Sequence, residues 1–110
     1  MNKYSVALGT AGSELEAQNL ARTLVARGAA ACVTIIPKAV SYYKWKGELC
    51  EEPEWLMIIK TRSDKQLLIE QVLRELHSYQ VPELILLPIE AGKQEYLDWL
   101  GACLEPAVEQ

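Results

Sequence analysis

The chain has 110 residues, 50% of them hydrophobic and 24% charged, with 15 acidic against 11 basic side chains and a formal net charge of −4. That length supports one domain, expected over residues 1–110, with a real core and no second domain. The acidic balance argues against nucleic-acid binding, and no apolar run is long enough to span a membrane. The three cysteines, Cys32, Cys50 and Cys103, form no CxxC pair and follow no export signal, so free thiols in a reducing cytoplasm are expected.

In chain order, "KYSVALGT" comes first, with Tyr4, Val6 and Leu8 alternating against Ser5, Ala7 and Gly9, and reads as a strand. In "GSELEAQNLARTLVARG", Ser13 and Glu16 have the spacing of a capping box, and Gly28 suits the position just past a helix end. Between them Ala17, Leu20, Ala21, Leu24 and Val25 recur at helical spacing and define one buried face. "AAACVTIIP" is a second, fully apolar strand that Pro37 stops or bends.

From Ala39 to Arg62 the chain reads as one long hairpin turning at Gly47-Glu48. Its return strand, at ~3.3 Å per residue, reaches ~45 Å. A compact domain of this size spans only ~34 Å. The ribbon therefore overhangs its own domain and carries Tyr42, Tyr43 and Trp45 with it. Ser63 and Gln66 then predict another capping box before a helix with Ile69, Val72, Leu73 and Leu76 on one face. "LILLPIE" is a short buried strand, and a last helix after Gly92 places Tyr96, Leu97, Leu100 and Cys103 together.

The order is βαββαβ plus a C-terminal helix, which defines an α+β fold of the ferredoxin-like type, with an antiparallel sheet and both crossover helices on one face. No helix is left to cover the other face. The bare face and the overhanging hairpin both point to self-association.

"ACVTIIP", "YYKWKGELCEE", "MIIKTR" and "SYQVPELILLPIEAGKQEYLDWL" together resemble the successive signatures of the CutA, or divalent-cation tolerance, family. The resemblance runs from the first strand to Trp99-Leu100. It implies a tight homotrimer without enzymatic activity, linked to tolerance of copper and other divalent metals and structurally related to the PII signalling proteins. It also implies that the hairpin is the trimerisation arm, with Tyr42, Tyr43, Trp45 and Trp55 at the contact.

His77, the only histidine, is the best single ligand for a weakly held Cu(II) or other divalent metal, because imidazole suits borderline metals. Cys32 is a conditional second, as a soft thiolate. Leu76, Ser78 and Gly9 stand where copper-binding relatives carry other residues. On an unbulged strand Glu48, Cys50, Glu52 and Glu54 share a face that could hold a cation loosely. Lys60, Arg62, Tyr79 and Glu83 are candidates for a cleft between subunits that takes a small anionic ligand, as a PII-like sensor would. A purely structural trimeric scaffold for partner proteins is the remaining alternative.

Overall fold

The computed structural model describes residues 3–104. In order they form β1 (Tyr4–Ala11), α1 (Glu14–Ala26), β2 (Cys32–Trp45), β3 (Glu48–Arg62), a 3-10 turn (Ser63–Lys65), α2 (Gln66–Leu76), β4 (Ile85–Pro88) and α3 (Gln94–Leu104). The sheet order is β2-β3-β1-β4 with every neighbouring pair antiparallel. This is the expected βαββαβ arrangement with its additional helix.

The start of α1 follows its sequence signal. Ser13 is extended, and its Oγ accepts the Glu16 N–H at 3.1 Å, while Glu16 Oε1 accepts the Gly12 N–H at 3.2 Å. Gly28, at φ 74, turns the chain out of the helix. Ala17, Leu20 and Leu24 are buried, but Val25, expected on the same face, is exposed. The second capping box does not form. Ser63 still finishes the sheet, donating its N–H to the Lys3 carbonyl at 2.9 Å, and its Oγ lies 2.7 Å from Ser5 Oγ. Helix α2 therefore starts later, at Gln66, with no side-chain cap.

The core joins Ala7 and Ala11 of β1, Met57 and Ile59 of β3, Leu20 and Leu24 of α1, and Ile69, Val72 and Leu73 of α2. Each fully buried Leu or Ile contributes about 1.5–3 kcal/mol. In β1 the expected alternation is present, and its buried side is the small one. Ser5, Ala7 and Gly9 turn toward the helices, which lets them approach closely.

The opposite face carries Val6, Leu8, Leu56 and Ile58, flanked by Ile85 and Leu87 of β4. Ile85 and Leu87 are half exposed, so "LILLPIE" is not the buried strand expected. Nor is that face wholly without a helix. Tyr4 lies on it, and a Cβ at Gly101 of α3 would collide with the Tyr4 hydroxyl, so α3 closes one end. The buried side of α3 is Leu100, Gly101 and Leu104, whereas Cys103 is exposed.

The hairpin does overhang. Trp55–Arg62 of β3 pair with β1, and residues 56–60 of that run pair with β2 as well, but Glu48–Glu54 pair with β2 alone. The radius of gyration is 15.0 Å and the extents are 53 × 30 × 22 Å, against ~13 Å for a compact chain of this size. The turn sits one residue earlier than expected, at Lys46-Gly47, with φ 51 and 80. Two positive φ values match the right-handed twist of the flanking strands. Pro37 bends β2 without stopping it. One extra residue is absorbed between Ile36 and Ala39, with Lys38 at φ 59.

Candidate functional site

The segment between α2 and β4 crosses to the base of the hairpin and is tied there by three long-range contacts. His77 Nε2 lies 2.7 Å from the Thr10 carbonyl oxygen, and its Nδ1 accepts the Tyr79 N–H at 3.0 Å. With Nδ1 as the acceptor, Nε2 carries the proton and donates to Thr10. Glu16 Oε2 accepts the Ser78 N–H at 2.8 Å. Tyr79 donates its hydroxyl to Glu54 Oε2 at 2.9 Å, and Ser41 donates to Glu54 Oε1 at 2.6 Å.

These contacts perturb the groups involved. Burial raises the Tyr79 phenol, and the hydrogen bond to Glu54 together with the Glu54 and Glu16 charges adds to it, so it is pushed up to about 12. Burial alone would also raise the Glu16 carboxyl. The hydrogen bonds from Ser78 and from the Gly12 N–H outweigh it and hold Glu16 below the ordinary range.

Between this segment and the ribbon lies a groove of about 780 Å3. Thr10, Ser41, Tyr43, Trp45, Cys50, Glu52, Glu54, Tyr79 and Glu83 are among its walls, and no lysine or arginine is. Register explains the grouping. Trp45 pairs with Glu48, Tyr43 with Cys50 and Ser41 with Glu52, and paired residues share a face. Pro53 does not bulge β3, so Glu48, Cys50, Glu52 and Glu54 align as expected. A second groove, of about 600 Å3, runs between α2 and the same segment and is lined by Glu70, Arg74 and His77 among others.

The candidates proposed from sequence are distributed unequally. Tyr79 and Glu83 border the larger groove, but Lys60 and Arg62 do not. Lys60 donates to Thr34 Oγ1 at 2.7 Å, and Arg62 is paired with Asp64 at 2.7 Å. Both lie toward the far end of β3, six and eight residues from Glu54, or ~20 and ~26 Å along the strand. Tyr42, Tyr43 and Trp45 are exposed on the ribbon, whereas Trp55 packs against the core.

His77 and Cys32 do not come together in one chain. Cys32 pairs with Lys60, which pairs in turn with Val6, while His77 is bound at Thr10. Val6 and Thr10 are four positions apart, ~13 Å along β1, and Cys32 lies a further two strands, ~10 Å, to the side. Both imidazole nitrogens are already engaged. Among the described residues no group of three His, Cys, Asp or Glu side chains is placed to hold a metal. These two residues do not fit a resident copper ion within a single chain.

Glu54 and Ser41 gain importance that their types alone did not convey. The sequence sets Glu54 on an acidic face with Glu48, Cys50 and Glu52 but gives no sign of its partners, which are 13 and 25 residues away.

The site thus belongs to an α+β chain whose two βαβ halves are joined by a ribbon longer than the domain itself. The family model described as CutA1 divalent ion tolerance protein matches residues 5–103. The Protein CutA homolog of Xenopus laevis is 46% identical over 97 residues, covering 88% of this chain and 64% of that protein. The Divalent-cation tolerance protein CutA of Yersinia pestis (strain Pestoides F) is 42% identical over 99 residues, covering 90% and 83%. A solved structure, the divalent cation tolerance protein Cut A1 from Thermus thermophilus, superimposes with a TM-score of 0.86 at 42% identity, covering 88% and 94%. The chain belongs to the CutA1 divalent-ion tolerance family. The relatives' names describe tolerance of divalent cations, not a catalysed reaction. Among the described residues no helix is long and apolar enough to cross a membrane.

Proposed function

We propose that this chain acts in divalent-cation tolerance as a non-enzymatic cytoplasmic homotrimer whose long hairpin is the assembly arm. The observation that carries this reading is the ribbon beyond Glu54, which exposes Tyr42, Trp45 and Leu49 at 65%, 63% and 74% with no second layer of its own chain over them. Exposed aromatic and apolar side chains concentrated on one element are the mark of an interaction surface. The half-bare face with Ile85 and Leu87 gives the trimer a second surface to bury.

In this reading Cu(II), or another divalent metal, is held weakly. His77 and Cys32 can serve a metal only singly, each from its own part of the sheet, with water or a neighbouring subunit completing the coordination. Engaging His77 also requires breaking one of its two existing hydrogen bonds. The alternative, a PII-like sensor taking an anionic ligand in a cleft between subunits, has less support, because Lys60 and Arg62 lie away from Tyr79 and Glu83 and the groove at those two is acidic.

Light scattering tests the assembly. A mass near three times 12.3 kDa is expected, and a monomer at micromolar concentration would refute it. Anaerobic copper titration of the wild type, His77→Ala and Cys32→Ser tests the metal. Weak binding that falls in either variant supports direct contact. Equal binding by all three removes both residues as ligands.

A further inference from the structure

Glu54 is only 7% exposed, and both its oxygens accept hydrogen bonds, from Ser41 and Tyr79. An ionised carboxylate is an acceptor only and can take both bonds. Neither donor carries charge, and the ion pairs among the described residues, Arg27–Glu75 and Arg62–Asp64, lie elsewhere. Among the described residues Glu54 has polar partners but no counter-ion. A buried charge left in that condition is costly, and a cation arriving beside it recovers the loss.

The groove over Glu54 has the size of a small-ligand site. Glu52 and Glu83 add two more carboxylates, and Tyr43, Trp45 and Tyr79 add aromatic surface. The field there is negative enough to act on a neighbour. Desolvation first, then Cys50, Glu52 and Glu54, raise the Tyr43 phenol above its ordinary value. Because no three candidate ligands converge among the described residues, a compact metal ion is poorly served. A cation with spread charge is well served, since aromatic faces attract it through their quadrupoles and carboxylates accept its N–H bonds.

We propose that this groove binds an organic cation, a guanidinium or primary ammonium group, with Glu54 as counter-ion and Tyr43 and Trp45 as its aromatic wall. Two sources share that chemistry: a free amine or guanidine, and a basic side chain of a second copy of this chain.

Calorimetric titration of the intact protein with arginine methyl ester, with ATP as the anionic control, tests the proposal on the wild type and Glu54→Gln. The glutamine keeps the shape and removes the charge. For a free ligand, the wild type binds the ester saturably, Glu54→Gln binds it at least tenfold more weakly, and ATP does not bind. For a side chain of a second copy, the assembled protein ignores the ester. Glu54→Gln then raises the subunit dissociation constant at least tenfold in sedimentation, and high salt abolishes the difference. If Glu54→Gln fails to fold, Glu83→Gln, a groove carboxylate off the ribbon, is read in the same two assays with a severalfold effect expected. The proposal is overturned if the variants change neither ester binding nor subunit dissociation, or if ATP binds in preference to the ester.

Discussion

Replacing Tyr79 by Phe removes one hydroxyl and keeps the ring. The lost hydroxyl donates to a carboxylate that is 7% exposed, so Glu54 Oε2 is left without its protein donor. Hydrogen bonds to charged groups are worth about 1.5–3 kcal/mol. Tyr79 itself is 38% exposed and borders the groove, so water replaces part of the loss, and ~1–2 kcal/mol is expected. For a domain of this size that lowers the melting temperature by roughly 5–10 °C, compared at fixed protein concentration because assembly couples to stability.

The pH dependence gives an independent reading of the same bond. The phenol is raised from 10.0 to about 12 in the folded chain. Its contribution is therefore fully present below pH 10 and is lost as pH rises from 10 through 12. Two pH units correspond to a ceiling of ~2.7 kcal/mol. Solvent screening at this partly exposed site reduces it to ~1 kcal/mol. Urea unfolding of the wild type and Tyr79→Phe across that window should show curves that converge by this amount. Equal stability at pH 7 with parallel curves above pH 10 would show that the Tyr79–Glu54 bond contributes nothing.

Trp45→Asp places a charge on the assembly arm and should release monomers, read by light scattering; an unchanged mass would exclude Trp45 from the contact. Gly101→Ala should destabilise by ~1–3 kcal/mol, although alanine favours helix, because the added carbon meets the Tyr4 hydroxyl. In a Tyr4→Phe background the same change should become neutral or stabilising, and a loss of equal size in both backgrounds would refute the clash. Glu16→Gln should speed hydrogen exchange at the Ser78 and Gly12 amides, whose acceptor loses its charge. It should also flatten the fall in stability as pH drops from 4.5 through the lowered value of Glu16, since a depressed carboxyl stabilises only while ionised. Unchanged exchange would show that Glu16 does not hold the segment.

What could be read from sequence was what local rules encode. The Ser13–Glu16 cap, Gly28 past the end of α1, the strand alternation and the excess hairpin length all depend on residues close together in the chain. Ser63 obeyed the same local rule and still failed as a cap, because its backbone was claimed by Lys3 across the sheet. The β1 alternation was clear, but which side was buried depended on how closely α1 and α2 approach. The groove was out of reach for a related reason. His77 meets Thr10 across 67 positions, Ser78 meets Glu16 across 62, and Tyr79 meets Glu54 across 25. No spacing rule connects residues so distant, and within one chain the fold brings Tyr79 and Glu83, but not Lys60 and Arg62, to the groove.

The irregularity at Pro37 and Lys38 has a consequence for how copies of the chain avoid one another when they should. In one chain β2 and β4 are both outer strands of the sheet, and an outer strand can recruit further strands without end. Proline offers no N–H for such growth, and Lys38 at φ 59 takes its own peptide groups out of line. The rim of β2 is thereby divided into Cys32–Ile36 and Ala39–Trp45. On the other side β4 has only four residues and ends at Pro88, and the open stretch Glu48–Glu54 of β3 is broken by Pro53 and carries four glutamates. A nascent monomer can therefore carry an unusually long ribbon whose open rims are cut into short lengths. Replacing Pro37-Lys38 with Val-Thr should make it bind thioflavin on prolonged incubation, and a variant that stays clear would show that the interruption is dispensable.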